Sequence, residues 1–265
     1  VPSVDYATGR SWLLRLGLDA VNRPLEKAPD WIWITDHSVQ IGKSKLLVIL
    51  GVRKCHLPAL GQALCAADLE LIALVPMEKS NAVSVHEALK QASERTGMPR
   101  AIISDHGADL LAGILLWTAE HPETLEIYDV THKAACLLKG LLEKDSRWTE
   151  FVKLAGTAKF QMAQTEMAGL LSPSLREKAR FMNLKPLIVW GLKMLVLLER
   201  SKSVKTIVGV TPERLKAKLG WLVEYESALH EWMEWLKLID TTLNVVRTQG
   251  HSLSTPYLLD QRIAL

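Results

Sequence analysis

The sequence predicts an α/β fold, a mixed five-stranded sheet with flanking helices followed by a mostly α-helical region. Three observations predict it. Five short segments rich in β-branched, aromatic and aliphatic residues lie between residues 31 and 128. The first three follow one another directly, whereas a helix-like stretch precedes each of the last two. Directly joined strands pair antiparallel and strand–helix–strand connections return parallel, so the order gives a mixed sheet. From residue 132 onward the pattern turns helical, and no strand-like alternation of comparable length reappears.

Residues 1–18 read as a helix around Ser11-Trp12-Leu13-Leu14-Arg15-Leu16, closed by Gly17; it fits the end of a DNA-reading helix-turn-helix. Pro24 and Pro29 make 19–30 a linker. Trp31 to Gln40 is the first strand, and Gly42-Lys43-Ser44 turns it into the second, Lys45 to Arg53. A loop with Pro58 and Gly61 leads to the third strand, Glu70 to Val75, which Pro76 stops. Asn81 to Arg95 is a helix with Gly97 after its end. Ala101-Ile102-Ile103-Ser104 is a short apolar strand of the kind buried at the centre of a sheet. Asp109 to Glu120 is helical, and Leu125-Glu126-Ile127-Tyr128 is the fifth strand. Further helices are expected over 132–144, 147–154, 157–171, 175–182, 184–200 and 212–247, punctuated by Pro173, Pro186 and Pro212. The expected division is a DNA-reading helix with linker over 1–30, a core over 31–145, a helical insertion or continuation over 146–211, and a helical part completing the core over 212–265.

Composition narrows the function classes. A chain of 265 residues, 48% hydrophobic and 23% charged, can bury a large core and is neither disordered nor collagen-like. Apolar runs such as Leu46 to Val52 are too short to cross a bilayer. The opening Val1-Pro2-Ser3-Val4-Asp5 lacks the basic and apolar regions of a signal peptide. Cys55, Cys65 and Cys136 show no metal-ligand spacing, which suits a reducing cytoplasm and opposes a disulfide framework or structural zinc. A net charge of +3 is a weak pull toward a polyanion, but basic residues cluster at Arg176, Lys178, Arg180 and Lys185, at Arg200, Lys202 and Lys205, and at Arg214, Lys216 and Lys218. No Gly-x-x-x-x-Gly-Lys-Ser/Thr string is present, so a P-loop ATPase role is unsupported.

The chemistry-bearing residues are acidic and sit at strand ends. Asp36 lies within the first strand, and Asp105 follows the fourth, 69 residues later. If the two strands are neighbours, their carboxylates converge where open sheets gather function. Two hard carboxylates sharing a site repel unless a cation lies between them, and oxygen donors suit Mg²⁺ or Mn²⁺. Taken singly, each aspartate reads equally well as a turn or cap residue, Asp105 as a cap of the helix that follows.

The order of elements, with Trp-Ile-Thr-Asp36-His-Ser on the first strand and Ile-Ser-Asp105-His-Gly after the fourth, resembles the DDE transposase and integrase superfamily, whose fold is RNase H-like. Asp129-Val130-Thr131-His132 resembles the Cys/Asp-x-x-His motif of hAT and Mutator-like transposases, here 24 residues beyond Asp105. The resemblance spans about residues 31–145 and extends more loosely over the helical remainder. It implies a bacterial, nucleoid-associated DNA transposase that acts on double-stranded DNA as a dimer or larger oligomer. Asp36, Asp105 and a glutamate would hold two ions, Mg²⁺ or Mn²⁺, roughly 3.5–4 Å apart.

That glutamate has two places to be. Gln161-Met162-Ala163-Gln164-Thr165-Glu166 sets polar residues into an apolar helix, with Gln161 and Thr165 on one face beside Glu166. The Trp-rich segment holding Glu224 and Glu226 is the alternative. Glu166 is preferred because its polar neighbours offer hydrogen bonds. His132 either contacts a phosphate or orients a metal ligand; otherwise it is a helix-terminal residue satisfied by Asp129. Arg176, Lys178 and Arg180 are the expected DNA-backbone contacts. Trp190, Trp221, Trp232 and Trp235 are expected in the core, and Trp12 alone near DNA. Competing functions are a catalytically inactive, co-opted DNA-binding relative and a stand-alone RNase H-like nuclease.

Overall fold

A computed structural model describes residues 5–41, 44–174, 184–200, 209–250, 252 and 254–263. Contacts divide the chain into a unit of residues 1–132 and a unit of residues 133–265.

The first unit is built on one sheet. Its strands are β1 (Trp31–Ile41), β2 (Ser44–Arg53), β3 (Glu70–Met77), β4 (Ala101–Ser104) and β5 (Leu125–Tyr128), in spatial order β3-β2-β1-β4-β5. β1 pairs antiparallel with β2, and β2 with β3, while β4 runs parallel to both β1 and β5. This is the mixed five-stranded sheet expected of an RNase H-like fold. The two right-hand strands are parallel because helices α2 (Ala82–Thr96) and α3 (Ala108–Glu120) carry the chain back between them.

Alternation on the strands decides where the core sits. Trp33, Leu47, Ile49, Ile72 and Ile102 are fully buried on one face, packed with Val85 and Leu89 of α2 and Leu110, Ile114 and Trp117 of α3. The two helices approach closely at Gly113, where a Cβ would lie 2.5 Å from Val85. Asn81 caps α2 by accepting from the Ser84 N–H at 3.0 Å.

Two boundaries differ from expectation. Helix α1 (Tyr6–Asn22) continues through Gly17, whose side nothing approaches, and stops at Arg23, held extended (ψ 143°) by the proline that follows. β3 passes through Pro76 to Met77. It is an edge strand, so a residue without an N–H interrupts no inner ladder there.

The second unit is helical throughout its described residues. α4 (Val130–Lys144), whose first turn belongs to the first unit, is followed by α5 (Ser146–Met162), α6 (Leu184–Arg200), α7 (Pro212–Leu219), α8 (Glu226–Gln249) and α9 (Thr255–Ile263). The segments expected over 147–154 and 157–171 are one helix that ends at Met162. The long helix expected over 212–247 is broken by a 3₁₀ stretch, Gly220–Tyr225, and α9 was not expected. The helix expected over 175–182 lies outside the described residues. Phe151, Trp232, Leu219, Leu222 and Leu229 are fully buried in this unit's core. Trp190 is buried there too, and Trp221 and Trp235 pack against it, as large aromatics on helices should. No described helix is long and apolar enough to cross a membrane, and all three cysteines are free and exposed.

Candidate active site

The register of the parallel strands builds the site. Ile34 pairs with Ile103 and Thr35 with Ser104. Asp36 and Asp105 are each the next residue along, so each follows directly on the last position paired between β1 and β4. Ser104 also pairs with Tyr128, and the Asp129 N–H donates to the Ser104 carbonyl at 2.8 Å. Asp129 therefore takes the equivalent position on β5. Three aspartates thus lie in line across three adjacent strands, Asp36 within β1 and Asp105 and Asp129 just past the ends of β4 and β5.

A small cavity of about 230 Å³ opens there, lined by Ile34, Thr35, Asp36, Ile103, Ser104, Asp105, Asp129 and His132. Partial burial and the neighbouring Asp105 push the Asp36 carboxyl up from its usual range; a backbone bond at His37 and the nearby His37 and His132 pull the other way. Asp105 is tied into its turn, its Oδ1 accepting from the Gly107 N–H at 2.9 Å. The helix that follows is capped at Gly107, so Asp105 serves as a turn residue rather than as the helix cap. Asp129 Oδ1 accepts from the backbone N–H of Thr131 (2.8 Å) and of His132 (3.3 Å), which fixes the first turn of α4 and so the place of His132.

The capping expected of Asp129 as the alternative reading is present, and it does not take His132 away from the cavity. Asp129 caps a helix, and His132 still faces the cavity that holds Asp36 and Asp105.

Glu166 lies in the second unit, in a turn after α5 rather than on a helix. Thr165 helps to end that helix: its hydroxyl donates to the Met162 carbonyl (2.9 Å) and accepts from the Met167 N–H (3.2 Å). The expected shared face of Gln161 and Thr165 is therefore not formed. Gln161 instead accepts from Lys218 at 3.1 Å, and Glu166 pairs with Arg214 at 2.7 Å. Glu226 begins α8 and lines a separate cavity of about 530 Å³ with Leu195, Leu198, Glu199 and Glu213 among others. Arg176, Lys178 and Arg180 lie outside the described residues. Among the described residues, no group of three or more His, Cys, Asp or Glu is arranged to hold a metal ion.

The pair Asp36 and Asp105 fits a small hard cation on its own chemistry. Both are acceptor-only carboxylates on one cavity, and burial, with Asp105 beside it, pushes the Asp36 carboxyl up. Mg²⁺ is commonly bound by one or two carboxylates, with water and substrate oxygens completing its shell.

No family profile and no curated protein matches the sequence. Among solved structures, the chain is similar to the HTLV-2 integrase catalytic core domain in complex with magnesium. Its trimeric form gives a TM-score of 0.27 at 21% identity, covering 46% of this chain and 74% of that chain. The dimeric form gives 0.26 with the same identity and coverage. A chain of the simian T-cell lymphotropic virus intasome in complex with the PP2A regulatory subunit B56γ gives 0.28 at 12% identity, covering 74% of this chain and 56% of that one. Overlaps this limited carry no argument about activity.

Sequence reasoning missed the neighbours of this site. His106, Glu126 and Tyr128 group beside Asp105, and His37, Ser80 and Asp109 group beside Asp36. The available signal was the same Asp-His pair at both places, 36–37 and 105–106.

Proposed function

We propose that this chain is the catalytic part of a DDE-type DNA transposase, which cleaves phosphodiester bonds at transposon ends and joins them to target DNA by 3′-hydroxyl attack. One observation carries the reading: Asp36 within β1 and Asp105 just after β4, far apart in sequence, line one cavity with Asp129 and His132, which follow β5. Asp36 and Asp105 would hold the divalent cation, with Glu166, or alternatively Glu226, as the third carboxylate. Magnesium or manganese, when bound, supplies charge neutralisation at phosphoryl oxygens and lowers the pKa of bound water. His132 faces the same cavity and can donate to a phosphate oxygen, while Asp129 holds it there by capping α4. Duplex DNA is the proposed substrate, bound by a dimer or larger assembly so that two ends meet, with Arg176, Lys178 and Arg180 on the phosphate backbone.

Mn²⁺-dependent nicking of supercoiled plasmid tests the reading, with Asp105→Ala purified identically beside the wild type. Nicking by the wild type should fall at least about a hundredfold in the variant, the loss expected when groups that stabilise transition-state charge go. Equal nicking by both refutes a nuclease site at Asp105. DNA binding without nicking favours the inactive, co-opted relative. Nicking without joining of a 3′ end to target favours a stand-alone nuclease.

A further inference from the structure

Asp36 and Asp105 are each followed at once by a histidine, and both histidine rings are held by other partners. Alternation along β1 turns His37 to the face opposite Asp36, the face covered by α2 and α3. There a 2.9 Å hydrogen bond joins His37 Nε2 to Ser80 Oγ, just before α2, and His37 Nδ1 lies 4.0 Å from Asp109 Oδ1 in the first turn of α3. Lys45 of β2 reaches the same Asp109 at 3.3 Å.

The group ties β1, the loop before α2, and α3 together.

His106 is held more tightly still. Among the described residues it is the one non-glycine with positive φ, 59°. A side chain there costs roughly 1–2 kcal/mol and persists only where surroundings enforce it. Its ring stacks on Tyr128 with centroids 3.8 Å apart and planes 22° from parallel, and its Nε2 is bonded to Glu126. Glu126 and Tyr128 pair with Ile102 and Ser104, so β5 grips the turn that carries Asp105.

We propose that His37 and His106 are positioning residues, which pin the two backbone segments bearing Asp36 and Asp105 so that both carboxylates converge on one cavity. The inference rests on reading those aspartates as cation ligands. Residues that orient metal ligands typically change metal affinity by about 10–100-fold when removed.

The test is Mn²⁺ binding by the full chain, with free Mn²⁺ counted by electron paramagnetic resonance. Asp36→Asn serves as the site control and thermal melting as the fold control. His37→Ala and His106→Ala should each weaken binding at least about tenfold with the fold intact. Ser80→Ala and Glu126→Gln, which leave both rings in place, should weaken it in the same direction and stand in should a histidine variant fail to fold. His106→Gly is the informative partner, since glycine accepts φ of 59° without a ring. Affinity as weak as in His106→Ala supports the grip of the ring; wild-type affinity in His106→Gly overturns it. Binding that Asp36→Asn abolishes and every other variant keeps overturns the positioning role alone. No Asp36-dependent binding in the wild type overturns the metal-site reading and this inference together.

Discussion

Asp36 carries the most informative charge in the molecule. Burial and Asp105 raise its pKa in the folded state above its unfolded value, so the folded chain holds that proton more tightly. Its contribution to stability is present below the unfolded pKa of about 3.9 and is lost as pH rises through the folded pKa. At neutral pH the ionised carboxylate therefore works against the fold. Asp36→Asn should melt higher than the wild type at pH 7 without divalent cation, and the gap should close toward pH 4. Millimolar Mn²⁺ should raise the melting temperature of the wild type and leave the variant unmoved. A variant that melts lower at pH 7 would mean that Asp36 is held by favourable partners and is not a site awaiting a cation.

Among the elements, the contact of α2 with α3 and the join of α5 with α8 are where single changes should tell. Gly113→Ala gains about 1 kcal/mol of helix propensity. The added Cβ would lie 2.5 Å from Val85 and 3.0 Å from the Ala82 carbonyl. Overpacking of this kind costs about 1–3 kcal/mol, so the clash should win. Urea unfolding should show a net loss of up to about 2 kcal/mol; a gain would mean that the helices part easily. At the other join, Asp145 caps α5 through the Arg147 N–H, binds the Arg147 guanidinium at 2.7 Å, and accepts from the Trp232 indole at 2.9 Å. Arg147 first, with the indole helping against burial, holds its pKa down at about 2. Its stabilisation is present above the unfolded pKa and is lost as pH falls through the folded value. Asp145→Asn should cost on the order of 1–2 kcal/mol at pH 7 and much less near pH 2. Urea midpoints at the two pH values measure the difference.

At the scale of the whole molecule, a net charge of +3 gives only a mild general attraction for a polyanion, so the proposed binding of the DNA backbone would depend on local basic clusters. Two of the described basic residues expected there are already engaged, Arg214 with Glu166 and Lys218 with Gln161. Affinity for random duplex should fall steeply between 50 and 200 mM salt, with a log–log slope of about −0.9 per phosphate contact. Filter binding at several salt concentrations measures that slope. A flat response would rule out phosphate contacts as the source of affinity and count against a DNA substrate.

The sequence by itself determined the order of strands and helices, the placing of Asp36 within the first strand, and that of Asp105 and Asp129 after the fourth and fifth. It could do so because alternation and helical periodicity are local records of burial, and because strand–helix–strand connections return parallel. The tertiary structure decided what lies across the chain. Pro76 is tolerated because β3 proved to be an edge strand. Glu166 left its expected helix because Thr165 satisfies backbone groups there and Arg214 takes the carboxylate. His37 meets Ser80 at a separation of 43 residues and His106 meets Glu126 at 20. Such partners carry no local periodicity. They become neighbours only once the strands take their order, and the register of β1, β4 and β5 brings the aspartates onto one cavity.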